Sequence, residues 1–138
     1  MKNQESDSSL VSFEQLPVGY EFPLSSYELS RSVVSKYLEA VGGQQDFLTL
    51  GIIPPLAVAA CAITALSQSF SVPPGSIHAS QDFEFLKLVP IGATISCGGK
   101  IAQKLERGRL RLVMLEIHAL NQDQERVLAG KATIAIPG

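Results

Sequence analysis

The sequence contains few cysteines and histidines, and their positions form no ligand pattern. There are two residues of each type: Cys61 and Cys97 lie in apolar stretches, and His78 and His118 are far apart in the chain. Two cysteines without paired spacings predict free thiols in a reducing compartment rather than a disulfide framework. A metal site would need clustered ligands, so we expect neither a bound metal nor another cofactor.

Charge of either sign is also scarce. Charged residues make up 17% of the 138 residues, hydrophobic residues make up 46%, and the formal net charge is -2. Without an excess of basic residues, the chain lacks the electrostatic footprint of a nucleic-acid-binding protein. The surplus of apolar residues favours a dimer or larger assembly, and a well-filled monomer core is the alternative.

Long hydrophobic runs are missing as well. The most apolar stretch, residues 51–66, is interrupted by Pro54 and Pro55 and is too short to span a bilayer. Residues 1–9 are polar, lack the apolar segment of a secretory signal, and are predicted to form a disordered lead-in. We therefore expect a cytoplasmic protein without a membrane partner, in which residues 10–138 form a single domain.

The order of the predicted elements indicates an α+β fold. They are a strand over Tyr20–Leu29, helices over Arg31–Val41 and Leu56–Phe70, and strands over Ile77–Phe85, Thr94–Leu105, Leu110–Leu120 and Val127–Ile136. Ser30 is a good N-cap for the first helix. The second helix is uncharged and has no clean polar face, which predicts that it is buried on all sides. Short connections between the last four strands favour an antiparallel meander around this helix.

Four stretches, in this order, resemble the MaoC-like branch of the hot-dog superfamily. They are FEQLPVGYEF at 13–22, YLEAVG at 37–42, IPPL at 53–56 and QDFEFLKLVPIG at 81–92, and the last is the most specific. The resemblance implies a hot-dog fold, an antiparallel sheet wrapped around a central buried helix. It also implies a dimer that binds an acyl group carried by coenzyme A or by acyl carrier protein.

The resemblance further implies a catalytic loop, and here the sequence departs from the family. Active hydratases of this family carry an aspartate after the first helix and a histidine five residues later, which move water and a proton across an enoyl thioester. The corresponding positions hold Gly43 and Leu48, and neither residue can transfer a proton. Asp46 is the ionisable group left in this loop, and a shifted loop could place it as a base.

His78 is the second candidate catalytic residue. The strand Ile77–Phe85 alternates apolar and polar residues, so we expect His78 on the polar face of a half-buried strand, beside the polar residues at 80, 82 and 84. There it is either a base assisted by a carboxylate or simply an exposed polar residue, and the second interpretation is the simpler one. His118 and Glu116 likewise fit a surface or interface pair better than a catalytic dyad.

Other chemistry-bearing residues give weaker indications. Cys61 lies in apolar surroundings, which raise the pKa of a thiol and disfavour a nucleophile. The second helix contains no acidic residue, which counts against a hot-dog thioesterase with a carboxylate there. Basic residues around one hairpin could meet the phosphates of coenzyme A or the acidic face of a carrier protein, although a solvated hairpin is the simpler interpretation. They are Lys100, Lys104, Arg107, Arg109 and Arg111.

Two functions remain open from the sequence. The first, which we prefer, is a MaoC-like subunit that binds acyl-CoA or acyl carrier protein without doing the chemistry, as a homodimer or as a heterodimer with a catalytic hot-dog subunit. We assign its acyl contacts to Pro55, Ala60, Gln81 and Phe83. The second is an active hydratase or dehydratase, or less readily a thioesterase, with relocated groups. Its candidate catalytic residues are Asp46 and His78.

Overall fold

The computed structural model describes residues 15–43 and 46–137, and these residues form five strands and three helices. The elements are β1 (Glu21–Glu28), α1 (Arg31–Val41), α2 (Asp46–Leu50), α3 (Pro55–Ser67), β2 (Ile77–Phe85), β3 (Thr94–Arg107), β4 (Leu110–Leu120) and β5 (Arg126–Pro137). The predicted α+β class is confirmed. The lead-in predicted over residues 1–9 lies outside the described residues.

Local sequence signals set the ends of the two longer helices. The Ser30 hydroxyl accepts a hydrogen bond from the Val33 backbone N–H at 3.3 Å, so it caps α1 as predicted. Gly42 ends α1 with a φ of 66°, a left-handed conformation that glycine adopts without steric cost. Pro55 occupies the first turn of α3, where its missing N–H would have no partner within the helix.

The five strands form one antiparallel sheet in the order β1-β3-β4-β5-β2. The predicted meander is therefore right for β3, β4 and β5 but wrong for β2, which pairs with β5 rather than with β3. The segment between β2 and β3 passes the start of α3, where the Ile53 N–H donates a hydrogen bond to the Val89 carbonyl at 2.8 Å. At the sheet edge β2 is mostly exposed, with Ile77 62% and Phe85 44% exposed, instead of half-buried as predicted.

The helix α3 packs against one face of the sheet, which we call the helix face. Its buried residues are mostly small, among them Ala57, Ala62 and Ala65, and it contacts β1, β3 and β4. The helix face presents fully buried side chains such as Cys97 and Leu115. Because short side chains line α3, the helix and the sheet can approach closely, and the core lies between them.

The prediction that α3 is buried on all sides is wrong for this chain. Leu56 is 64% exposed, and Ala60 and Thr64, one and two helical turns later, are exposed too. The sheet covers one side of the helix and leaves this exposed strip, defined by Leu56, Ala60 and Thr64, on the other side. An uncharged helix sequence predicts that the helix surface is buried, but it does not predict whether the same chain or another subunit buries it.

The opposite, outer face of the sheet carries a row of alternating charges. Directly paired residues on the five strands are Glu21, Lys100, Glu116, Lys131 and Asp82. Lys100 Nζ lies 3.7 Å from Glu116 Oε1, and Asp82 Oδ1 accepts a hydrogen bond from the Lys131 N–H at 2.9 Å. A one-residue slip of any strand would turn its charge toward α3, so this row helps to fix the register of the sheet.

Gly99 on β3 gives a test of how closely the strands pack. A Cβ at this position would collide with the backbone carbonyl oxygen of Glu116 on β4. We expect Gly99→Ala to lower the free energy of unfolding by about 2 kcal/mol, because a backbone atom cannot move aside as a side chain can. Urea denaturation measures the change.

The neighbouring glycine provides the matched control. A Cβ at Gly98 would make ordinary contact with the His118 ring at 3.5 Å and would clash with a methyl carbon of Leu24, whose side chain is 55% exposed and can rotate away. We expect Gly98→Ala to change the free energy of unfolding by less than about 1 kcal/mol. Equal destabilisation by both substitutions would contradict the close approach of Gly99 to β4.

Candidate functional site

The loop after α1 contains the position at which the resemblance places an aspartate. Here Gly43 donates its backbone N–H to the Leu38 carbonyl at 2.8 Å, which closes the end of α1. A Cβ at Gly43 would lie 2.9 Å from a methyl carbon of Leu38, a side chain that is only 2% exposed. Any larger side chain at this position would therefore require Leu38 to move.

The position at which the resemblance places a histidine holds Leu48, in the short helix α2. Its backbone carbonyl accepts two hydrogen bonds from the Arg31 guanidinium, at 3.2 Å from Nη1 and 2.9 Å from Nη2. Bonds from a charged donor are stronger than those between neutral groups. They tie α2 to the start of α1, while the side chain at this position remains aliphatic.

The two candidate catalytic residues lie near opposite ends of α3. Asp46 is exposed at the start of α2, and the next residue, Phe47, accepts a hydrogen bond from Ile52 just before α3 begins. His78 lines a cavity with Leu66, near the other end of the helix. A helix of 13 residues is roughly 20 Å long. The structure therefore does not bring Asp46 and His78 together within one chain.

A β-bulge changes the face on which His78 lies. His78 pairs with Ile134, but the next paired residue is Ser80, so Ala79 is an extra residue in the strand. The bulge places His78 on the helix face together with Gln81, and its Nε2 lies 2.9 Å from Gln81 Oε1. The prediction that His78 shares a face with the polar residues at 80, 82 and 84 is therefore wrong.

The four residues assigned to acyl contacts lie in separate places. Pro55 lines a cavity of about 170 Å³ at the start of α3, and Ala60 lies in the exposed strip. Gln81 is held by His78, whereas the half-buried Phe83 ring packs close to Gly130 on β5. They form no single pocket, although three of the four lie on the helix face or beside the helix start.

Two cavities that the sequence did not indicate lie beyond the C-terminal end of α3. The first, which we call the α3-end cavity, measures about 270 Å³ and is lined mainly by Ile63, Leu66, Phe70, Val72, His78 and Ile134. The second, the hairpin cavity, measures about 310 Å³ and is lined by Lys104, Leu105, Glu106, Arg111, Leu112, Val113 and Ile136. Sequence reasoning missed the first because it depends on the pairing of β2 with β5.

The basic residues of the β3–β4 hairpin divide into three groups. Lys100 belongs to the charge row of the outer face, where it pairs with Glu116. Lys104 and Arg111 line the hairpin cavity, and Arg111 donates a hydrogen bond to the Pro137 carbonyl at 3.1 Å. The arginines at 107 and 109 flank the glycine of the turn and are exposed.

The remaining titratable candidates lie in surroundings that disfavour the proposed chemistry. Burial raises the pKa of the Cys61 thiol, and it raises the pKa of Cys97 to about 12, an effect to which Cys61 adds. Both thiols are therefore protonated near neutral pH and poor nucleophiles. Burial also lowers the pKa of His118, as does Arg126. Glu116 lies 3.7 Å from the ammonium group of Lys100 on the neighbouring strand.

The described part of the chain contains neither a cluster of metal ligands nor a helix that could span a membrane. No group of three or more His, Cys, Asp or Glu side chains there is placed to hold a metal ion. None of the helices in residues 15–43 and 46–137 is long and apolar enough to cross a bilayer.

No family model and no curated protein matches the sequence, but solved structures match the fold. The unliganded R-hydratase PhaJ1 from Pseudomonas aeruginosa has a TM-score of 0.74 at 18% identity, covering 93% of this chain and 86% of that one. A MaoC-like dehydratase from Rhodospirillum rubrum has a TM-score of 0.73 at 14% identity, with 92% and 97% covered. The truncated HadBC complex, a 3R-hydroxyacyl-ACP dehydratase from Mycobacterium tuberculosis, has a TM-score of 0.66 at 21% identity, with 84% and 93% covered.

These matches extend over nearly the whole chain, and at such low identities they establish its fold. They agree with the five-stranded antiparallel sheet packed on α3. The chain therefore has the hot-dog fold of the R-hydratases and MaoC-like dehydratases, as its sequence resemblance predicted.

Proposed function

We propose that the chain is a hot-dog subunit that binds an acyl thioester but does not hydrate it alone. The observation that carries this proposal is the pair of residues at the implied acid and base positions, Gly43 and Leu48. Hydration requires an acid and a base within hydrogen-bond reach of one substrate. Asp46 and His78, which could replace them, lie near opposite ends of α3.

The cavities beside α3 support binding of an acyl chain. One of about 170 Å³ lies at the start of the helix, and the α3-end cavity of about 270 Å³ lies at its other end. The walls of both are mainly aliphatic and aromatic, the usual lining of small-molecule sites. Each methylene that such a wall buries contributes about 0.8 kcal/mol, so a chain can bind without any catalytic group.

We further propose that a second hot-dog subunit covers β2 and the exposed strip of α3. Leu56, Phe85 and Leu88 are 64%, 44% and 72% exposed, and the Ile53–Val89 hydrogen bond holds the segments that carry them together. Exposed apolar patches of this kind mark interaction sites. Two of the matched structures, HadBC and ChsH1–ChsH2, are themselves complexes. The partner is a second copy of this chain or a subunit that supplies the acid and base.

One observation favours the alternative, an active hydratase or dehydratase. The His78–Gln81 hydrogen bond lies on the helix face beside the α3-end cavity, where a histidine could exchange a proton with a bound thioester. No carboxylate lines that cavity among the described residues. The alternative therefore requires a partner subunit to supply the second group.

Hydration and binding assays on the purified protein distinguish these functions. We expect no loss of enoyl absorbance from a short enoyl-CoA beyond that of a heat-denatured control, even at high protein concentration. We also expect saturable binding of a saturated acyl-CoA in isothermal titration calorimetry. Turnover by the protein alone would contradict the non-catalytic proposal.

If turnover does occur, two substitutions locate its source. His78→Gln should abolish it if the histidine transfers the proton, and Asp46→Asn should abolish it if the α2 carboxylate is the base. Full activity in Asp46→Asn would remove Asp46 as a catalytic residue. The ratio of kcat/KM for the variant and the original protein is the measurement.

Ala60→Trp tests whether the exposed strip is a subunit contact. Because Ala60 is exposed, tryptophan should change the free energy of unfolding by less than about 0.5 kcal/mol. We expect it to weaken subunit association, measured by sedimentation velocity over a range of concentrations. Lys36→Trp on the exposed side of α1 is the control and should leave association unchanged.

Ala62 cannot serve in this test, although it lies only two residues away. It is 1% exposed in the core, so tryptophan there should destabilise the fold by overpacking. Association that is equally strong in Ala60→Trp and the original protein would show that the exposed strip lies outside the subunit contact.

A further inference from the structure

We propose that the outer face of the sheet binds a second copy of this chain, across a two-fold axis that runs along the strands between β4 and β5. These two are inner strands of the sheet, whereas the subunit contact proposed above uses the edge strand β2 and the exposed strip of α3. Both contacts can therefore form in one assembly. The inference concerns a separate surface and does not depend on acyl binding.

The first half of β4 is apolar on its outer side. Leu112 and Met114 lie four and two positions before Glu116 and so share the outer face with it. Leu110 continues the same side and is 46% exposed. A strand whose outer face meets only water normally alternates apolar and polar residues. The outer side of β4 carries leucine, leucine and methionine instead, which indicates that another molecule covers it.

The neighbouring strand β5 carries small residues on the same face. In three rows a larger β4 residue pairs directly with a smaller β5 residue: Leu112 with Ala135, Met114 with Thr133, and His118 with Ala129. We call the three β4 residues the β4 ridge and the three β5 residues the β5 recess. Met114 and Thr133 also line a cavity of about 510 Å³, whose charged lining residues are Asp82, Glu116 and Lys131. Open space therefore lies directly beside the projecting side chains of the ridge.

The proposed axis brings the ridge of one copy onto the recess of the other. Because it runs between β4 and β5, it places β4 over the partner's β5 and keeps each row opposite the same row. Met114 then faces the partner's Thr133, a large side chain against a small one. In the charge row, Glu116 faces the partner's Lys131, and Lys131 faces the partner's Glu116. Two sheets stacked in this way lie about 10 Å apart with their strands nearly aligned.

The spacing of the charge row favours a second sheet as the partner. Charges on neighbouring strands are one strand spacing apart, about 4.8 Å, and the same row of a second copy has the same spacing. Side chains on one side of an extended peptide are roughly 6.8 Å apart instead. Successive charges of a peptide laid along the row would therefore lose their match, whereas a second copy matches several charges at once.

The signs of the charges select the axis. Lys100, Glu116 and Lys131 alternate in sign from strand to strand, so an axis between two strands pairs opposite charges. An axis along β4, or one along the row itself, would place Glu116 against the partner's Glu116. Like charges that face each other across an interface disfavour association. Among the axes between strands, the one between β4 and β5 also fits the ridge to the recess, and it gives a closed two-fold contact.

Charge reversal tests the charge row. Glu116→Lys would face the partner's Lys131 and Lys131→Glu would face the partner's Glu116, in both halves of the two-fold contact. We expect each substitution alone to shift the protein from a larger assembly to a smaller one, with an association constant about tenfold lower or more for that step. Sedimentation velocity over a range of concentrations measures the change. Single variants that associate like the original protein would overturn the proposal.

An equimolar mixture of the two variants is the decisive measurement. In a mixed pair, the Glu116→Lys chain contributes only lysines to the two central positions, and the Lys131→Glu chain contributes only glutamates. Both facing pairs are again opposite in sign, so we expect association within about threefold of the original protein. Each variant has the same fold alone and in the mixture, and recovery therefore cannot come from repaired folding. A mixture that associates no better than the single variants would contradict the two-fold contact.

A bulky side chain in the β5 recess tests the shape of the contact without a change of charge. Thr133→Trp fills the space that receives the partner's Met114, and we expect an association constant about tenfold lower or more. Ser26→Trp is the control, because Ser26 is exposed on the same face but lies on the edge strand β1, outside the contact. It should leave association unchanged. Equal association of the two variants would overturn the assignment of the recess.

Discussion

The close packing of α3 against the sheet is the constraint on which the rest of the structure depends. Ala57, Ala62 and Ala65 are at most 6% exposed, and their short side chains let the helix backbone approach the strands. The sheet in turn presents compact residues to the helix, including Cys97 and Ala119, both fully buried. The sheet covers one side of α3. The exposed strip of α3 and the edge strand β2 therefore remain uncovered within one chain. The uncovered surfaces therefore follow from the same packing that forms the core.

The two faces of the sheet have opposite chemistry, and this difference specifies the register. The exposed Lys100–Glu116 pair contributes little stability by itself, since exposed ion pairs are worth about 0–1 kcal/mol. Its effect is to penalise any slipped pairing that would bury a charge against α3. With the register fixed, a single bulge at Ala79 is enough to move His78 from the charged face to the apolar one. The bulge has this effect because the pairing register on either side of it is fixed.

Features set by neighbouring residues could be predicted from the sequence, and features set by distant contacts could not. Ser30, Gly42 and Pro55 each act through their own backbone or side chain, so the helix ends were predictable. The pairing of β2 with β5 and the bulge at Ala79 depend on residues about fifty positions away, and alternation alone assigned His78 to the wrong face. The candidate site was the least predictable part: Asp46 and His78 were each proposed as a base, and the structure places them near opposite ends of α3. The sequence indicated that basic residues cluster at the β3–β4 hairpin, but it gave no signal for the cavity that Lys104 and Arg111 line.

Binding and chemistry place different demands on a fold, and the function proposed for this chain separates them. Hydration needs two groups held to within a fraction of an ångström of one bond. Binding of an acyl chain draws on apolar area, about 25 cal/mol per Å² buried, and tolerates many arrangements of the wall. The cavities at the two ends of α3 are lined by residues other than Gly43 and Leu48. A hot-dog domain can therefore keep a ligand-holding role on the strength of its fold, with the chemistry supplied by another subunit.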